Sequence, residues 1–174
     1  MHTLKIKTAR FFDGEQLHTG EPVNIIVRDD RVAEVLVQAE PHETTEEFKE
    51  IDATSLTLLP GLIDAHFHPA SASFDVASID RSHPSLRALD ARRHLESALL
   101  RGFTTVRDAG GGDIGLVQAI ELGLIHGPRL LIAGKAISQT GGHGDMRPAN
   151  AVPVCSCGYS GALNIIFNPL TLDP

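Results

Sequence analysis

Tryptophan is absent from this 174-residue chain and tyrosine occurs once. A sugar- or base-binding platform built on stacked aromatic rings is therefore not expected. There are two cysteines, Cys155 and Cys157, too few and too close together for a disulfide framework; as a C-x-C pair they read as small loop thiols rather than a metal site. Positive charge is in deficit: 15 Lys and Arg stand against 22 Asp and Glu, a formal net charge of -7. That balance argues against a nucleic-acid partner or an anionic membrane surface. No apolar run approaches the ~20 residues of a membrane span. Met1 to Arg10 alternates, without the apolar stretch of a signal peptide. The expectation is a cytoplasmic protein with no nucleic-acid and no membrane partner. What is present suits a packed interior: 42% apolar and 21% charged residues, with 16 glycines and 10 prolines for tight connections. The length suits one domain, or one domain with a small appendage.

The first 59 residues read as short strands. Leu4, Ile6 and Thr8 alternate with Lys5, Lys7 and Ala9, the period of a half-buried strand. Phe12-Asp13-Gly14-Glu15 reads as a turn and residues 23–27 as β-rich. Asp29-Asp30-Arg31 reverses a hairpin that returns through residues 32–37. An acidic connection over 40–50 follows, and the β pattern resumes over 48–51 and 56–59. From Pro60 the rhythm changes. A strand over 62–67 leads into a polar loop, then a helix over 85–101 with Ala88, Ala91, Leu95, Ala98 and Leu99 on one stripe. Gly102 is placed to close that helix. A second strand over 103–107 precedes Asp108-Ala109-Gly110-Gly111-Gly112. Asp113 N-caps a helix over 114–124, with Val117, Ile120 and Leu124 facing inward. Gly127-Pro128 turns the chain into a third strand over 130–133. This order implies parallel strands joined by right-handed crossovers. Beyond Ile137 the pattern fades into a Gly- and Pro-rich stretch, and residues 162–174 have no clear period.

The first of those strands ends on His66-Phe67-His68. Side chains at i and i+2 of a strand point the same way, so the two imidazoles project together, and Asp64 joins them if the strand is unbroken. Two imidazoles this close are natural ligands for Zn²⁺ or a similar divalent metal. They also sit at a strand's carboxyl end, where parallel α/β folds bind ligands. In isolation, His-x-His more often closes a strand as two loop-side polar residues, so the surroundings decide.

The string Leu59-Pro60-Gly61-Leu62-Ile63-Asp64-Ala65-His66-Phe67-His68 resembles the opening motif of the amidohydrolase superfamily and, as there, follows a β-rich segment. Arg101-Gly102-Phe103-Thr104-Thr105-Val106-Arg107-Asp108 is similar to the second barrel strand of those enzymes. Ser138-Gln139-Thr140-Gly141-Gly142-His143-Gly144-Asp145 is similar to a loop of the branch that includes imidazolonepropionase-related proteins and Xaa-Pro or Xaa-Arg dipeptidases. The resemblance covers roughly residues 1–163. It implies an α/β fold: about three strands of a (β/α)₈ TIM barrel over 60–163, preceded over 1–59 by part of a small β-sandwich, with an unaligned tail over 164–174. It implies a metal-dependent hydrolase of amide or dipeptide-like C–N bonds, using a divalent metal, zinc before others. His66 and His68 would be metal ligands and His143 a group beside the substrate. Asp64 would support the ligands. Asp108, which ends the second strand on the ligand face, reads either as a hydrogen-bond partner of a metal-site histidine or as a plain N-cap or loop carboxylate, with Arg107 as its ion-pair partner. The implied partner is a small amide or dipeptide-like substrate, and a homo-oligomer is left open.

Several family features find no match. A complete barrel of this type has eight strands in ~250 residues. The family's bridging lysine, two later histidines and catalytic aspartate have no counterpart. Lys135 precedes the Gly-Gly-His-Gly-Asp loop and reads as solvated; Asp145 lies in that loop and Asp173 in the unaligned tail. No catalytic residue is assigned. The chain reads as the N-terminal portion of such an enzyme, its tail the mark of a truncated gene, a frameshift, an incomplete reading or a natural end. It would hold two of the three protein ligands a catalytic zinc needs, with an unpaired sheet edge. Marginal stability, self-association and little hydrolase activity are expected. The alternative is a non-catalytic remnant, or a metal-binding protein that acts through assembly. Gly110-Gly111-Gly112 matches neither dinucleotide nor phosphate-loop patterns and reads as a flexible loop. His83, His94 and His126 read as surface residues, and there is no sign of a Ser-His-Asp triad.

Overall fold

A computed structural model describes residues 3–37, 49–71 and 82–134, together with the backbone of 137–139 and 170–172. The chain divides into two units, Met1–Pro60 and Gly61–Pro174. Among the described residues no helix is long and apolar enough to cross a membrane.

The first unit is one four-stranded mixed sheet. Strands β1 (Thr3–Phe12), β2 (Leu17–Arg28), β3 (Arg31–Val37) and β4 (Lys49–Asp52) lie in the order β3-β2-β1-β4. The first three run antiparallel, while β4 runs parallel to β1. Asp13 makes the β1–β2 turn: its Oδ1 accepts the N–H groups of Glu15 (2.8 Å) and Gln16 (2.9 Å), and its Oδ2 lies 2.6 Å from His18 Nε2. Those contacts hold the Asp13 carboxyl well below the usual carboxylate range, the Gln16 backbone N–H contributing most. Asp29, at φ 55°, turns the β2–β3 hairpin, a conformation Asp tolerates better than most residues. The β1–β2 register shifts between Thr8 and Arg10. Thr8 is fully buried there. Its Oγ1 donates to the Arg10 carbonyl (2.9 Å) and accepts from the Arg10 N–H (3.2 Å), so the buried hydroxyl is satisfied within β1. Residues 56–59 form no strand. They make a single bridge, Leu58 to Phe11, because only Leu58 reaches β1, through its N–H to Arg10 O and its O from Phe12 N–H, both 2.9 Å.

The second unit contains strands β5 (Leu62–Phe67), β6 (Phe103–Asp108) and β7 (Arg129–Ile132), paired in parallel in that order. Helix α1 (Pro84–Leu100) packs on β6 and helix α2 (Ile114–Glu121) on β7. This is the β-α-β-α-β run the sequence implies. The core is Leu95, Ala98, Val106 and Leu130, joined at its margin by Phe67, Phe103, Leu116, Val117 and Ile120. The buried stripe of α1 is Arg87, Ala91, Leu95 and Ala98; Ala88 and Leu99 lie outside it. Gly102, at φ 93°, ends the helix as expected. Helix α2 stops short of Leu124. Gly123 takes φ 68°, its N–H donates to Ile120 O (3.0 Å) and Leu124 N–H to Ala119 O (2.9 Å). This glycine-capped end turns Leu124 outward. A further parallel pair joins β8 (Ile137–Gln139) to β9 (Leu170–Leu172), so three residues of the stretch without period form a strand.

Candidate metal centre

Two register shifts in β5 decide what its end presents. Asp64 is level with Val106 and Phe67 with Asp108, so three steps on β5 match two on β6. Asp64 and Phe67 consequently share the α1 side, where both line a cavity of about 500 Å³ with Arg93, His94 and Arg101. Phe67 packs toward the core, and the exposed His66 and His68 flank it. Asp64 reaches the pair only through the backbone, its Oδ1 accepting the His66 N–H at 3.0 Å.

The two imidazoles meet edge to face, with centroids 5.1 Å apart and planes at 80°. Their Nε2 atoms are 3.2 Å apart. Nδ1 of His68 is 2.9 Å from the Gly110 carbonyl oxygen, which can only accept, so Nδ1 carries the proton and donates. In the neutral ring Nε2 is then a bare lone pair, facing His66 Nε2. Two nitrogens bound to one tetrahedral zinc at ~2.0–2.1 Å would lie about 3.3 Å apart. The pair therefore fits two corners of a single divalent cation.

Residues of the β6–α2 connection stand behind His68. Asp108 is 0% exposed, and its Oδ1 is 3.5 Å from His68 Nδ1. Its Oδ2 accepts the Gly112 N–H at 2.7 Å, whereas Oδ1 has no hydrogen-bond partner among the described residues. Gly110, Gly111 and Gly112 are all buried, and Gly111 N–H donates to Gly134 O (2.8 Å). The turn expected to be flexible is tied on both sides. Arg107 is exposed and makes no ion pair with Asp108 among the described residues, because adjacent strand residues point to opposite sides. His94, expected at the surface, is half-buried, and its Nδ1 donates to Pro69 O (3.0 Å), fixing the chain just after His68. Backbone groups of glycines and one helix histidine thus serve the site, and no side-chain pattern announces either.

His143, Lys135, Asp145, Cys155, Cys157 and Asp173 lie outside the described residues. Among the described residues no group of three or more His, Cys, Asp or Glu is assembled to hold a metal ion.

The amidohydrolase family model matches residues 57–161, more than half of the chain. The chain belongs to the amidohydrolase family. Ochratoxinase of Aspergillus niger is 37% identical over 92 residues, which are 51% of this chain and 19% of that protein. Among solved structures, a prolidase complexed with N-methylphosphonate-L-proline matches with TM-score 0.82 and 33% identity, over 99% of this chain and 41% of that one. A Xaa-Pro dipeptidase with bound methionine matches with TM-score 0.66 and 30% identity, over 90% of this chain and 39% of that one. The chain thus spans about two fifths of each of these two solved structures and about one fifth of that ochratoxinase, and its parallel strands are part of a barrel of the amidohydrolase family. Members of the family are generally metal-dependent.

Proposed function

We propose that this chain carries the first part of the active site of a metal-dependent amidohydrolase acting on amide or dipeptide-like C–N bonds, with zinc as the metal. One observation carries the reading. His68 has its Nδ1 proton committed to a carbonyl, leaving a bare Nε2 directed at His66 Nε2 across 3.2 Å. Under this reading His66 and His68 are ligands, Asp108 supports His68 from behind, and Asp64 steadies the backbone at His66. His143 is assigned a substrate-side role only by the likeness of its sequence to the dipeptidase-branch loop. A divalent cation there supplies Lewis acidity toward water and toward an amide carbonyl. The chain's own task is to hold two neutral imidazoles at fixed separation. His66 has to carry its proton on Nδ1 for both Nε2 lone pairs to converge, a choice of tautomer within the neutral ring. Likeness to a prolidase, a Xaa-Pro dipeptidase and an ochratoxinase supports small amide or dipeptide substrates over larger ones.

A second reading, a metal-binding remnant that acts through assembly, is favoured by one observation: no third ligand joins the pair among the described residues. The 174-residue polypeptide by itself is read as having little hydrolase activity. Ile63 and Leu131, 72% and 51% exposed on the parallel sheet, favour its self-association. The experiment is zinc titration with hydrolysis assays over Xaa-Pro dipeptides and N-acyl amino acids. Equimolar zinc that His66→Ala and His68→Ala each abolish supports the ligand assignment. Added turnover in the same preparation identifies an active hydrolase, and zinc without turnover the remnant. Zinc binding that survives both substitutions would refute the reading.

A further inference from the structure

We infer that Asp108 is a positioning residue for His68, and that the Gly110–Gly112 turn exists to hold that carboxylate in place. The inference rests on His66 and His68 being ligands and extends the site into backbone that no motif names. His68 has one N–H on Nδ1, which donates to the Gly110 carbonyl oxygen at 2.9 Å, and Asp108 Oδ1 stands 3.5 Å from the same nitrogen, within ion-pair range. The carboxylate is fully buried, yet among the described residues Oδ1 has no hydrogen-bond partner. A buried, unsatisfied carboxylate oxygen costs stability. Within ion-pair range the group it faces is His68. A carboxylate behind an imidazole fixes its tautomer and strengthens the opposite nitrogen as a ligand.

Gly112 shows the same purpose from the other side. Its φ is outside the left-handed region, so backbone conformation does not require glycine there. Space does. A Cβ at this position would stand 2.8 Å from Asp108 Oδ2 and 3.2 Å from its Cγ, with Ile132 Cγ2 at 3.4 Å behind. The Gly112 N–H donates to the same Oδ2 at 2.7 Å. The turn is anchored to β5 through Ala109 N–H to Phe67 O at 3.0 Å, and to the chain just past β7 through Gly111 N–H to Gly134 O at 2.8 Å. The carboxylate is gripped from its Oδ2 side and presents Oδ1 to His68.

This arrangement makes asparagine a poor substitute. An Asn at 108 that accepts from Gly112 N–H turns its NH₂ toward His68 Nδ1–H. Turned the other way, it sets NH₂ against Gly112 N–H. One donor–donor conflict remains in either orientation.

The test compares the wild-type chain with Asp108→Asn, Gly112→Ala and, as a control, Val106→Ala in the same strand. Zn²⁺ affinity is measured by competition with a chromophoric chelator, and the His68 tautomer by side-chain ¹⁵N NMR of the metal-free protein. Wild-type His68 is expected to be protonated on Nδ1. Asp108→Asn and Gly112→Ala should each lose Zn²⁺ affinity by roughly 10–100-fold and lower the Nδ1-protonated fraction. Val106→Ala should unfold more easily while keeping both properties. Unchanged affinity and tautomer in both site variants would overturn the inference, as would an equal loss in Val106→Ala. If Asp108→Asn does not fold, Gly112→Ala and the wild-type spectrum decide, and an Nε2-protonated His68 in the wild type refutes it. If the wild type holds no Zn²⁺ at the histidine pair, the proposed function fails, while the tautomer comparison still decides this inference.

Discussion

Replacing Gly61 with alanine should weaken the second unit through a collision that side-chain rotation cannot relieve. A Cβ built on Gly61 runs into Thr104 Oγ1 and Cγ2 and stands 2.6 Å from Thr104 Cβ. Turning χ1 of Thr104 moves Oγ1 and Cγ2 away, but Cβ is fixed to the backbone. Gly61 is not in the left-handed region, so the cost is one of space alone. The start of β5 has to separate from β6 where Leu62 N–H donates to Gly102 O (2.8 Å) and Leu62 pairs with Phe103. Overpacking of this kind costs about 1–3 kcal/mol, and a lost strand hydrogen bond about 1 kcal/mol more. A destabilisation of about 2–4 kcal/mol is expected. With no tryptophan in the chain, unfolding is best followed by far-UV circular dichroism in urea. Hydrogen exchange at the Val106 and Leu130 amides isolates the second unit. Second-site variants sharpen the test. Thr104→Gly removes the offending Cβ and should couple to Gly61→Ala by about 1–3 kcal/mol, whereas Thr104→Ala keeps that atom and should rescue far less. A Gly61→Ala cost below about 0.5 kcal/mol, or equal rescue by both partners, would refute the reasoning.

Leu95→Ala should cost about 2–5 kcal/mol, because Leu95 is 0% exposed at the centre of the cluster with Val106 and Leu130. Urea denaturation measures it, and a loss under about 1 kcal/mol would mean the core is not packed as described. In the first unit, folding depresses the Asp13 pKa, so its carboxylate's contribution is fully present above the unfolded value of about 3.9. That contribution disappears as pH falls below that value through the folded pKa. Asp13→Asn should therefore flatten the loss of first-unit stability between neutral and acid pH, read from hydrogen exchange at Ile6 and Ile25. An unchanged acid dependence would show that the turn contacts do not persist in solution.

Much of the second unit was legible because its punctuation is local. The rhythm changes at Pro60, a helix-period stripe begins after Pro84, Gly102 stops that helix, and Asp113 starts the next by accepting Gly115 N–H at 2.7 Å. What the sequence hid is non-local or carried by backbone. The β8–β9 pairing joins three residues on each side across more than thirty positions, too short a run for periodicity to register. Leu124 keeps the apolar spacing of α2 but lies beyond the glycine that unwinds it. Gly110 and Gly112 offer only a carbonyl and an amide, groups every glycine has. Three consecutive glycines therefore read as slack, although each is buried and hydrogen-bonded.

The position of Asp64 shows how a one-residue register shift limits what a strand can do. On an unbroken β5, residues 64, 66 and 68 would share one side, and a carboxylate beside two imidazoles would make a three-ligand set within a single strand. The extra residue between Asp64 and Phe67 sends the carboxylate to the α1 side, where its Oδ1 accepts the His66 N–H instead. Charge is kept off the first coordination positions, and the strand contributes two neutral donors only. A catalytic zinc site takes at least three protein ligands and keeps one position open. Under the proposed function, then, completion has to come from elements other than β5. Asp108 is the carboxylate within ion-pair range of the pair among the described residues. It stands on the Nδ1 side of His68, behind the ring rather than in front of Nε2, and so strengthens a ligand without becoming one.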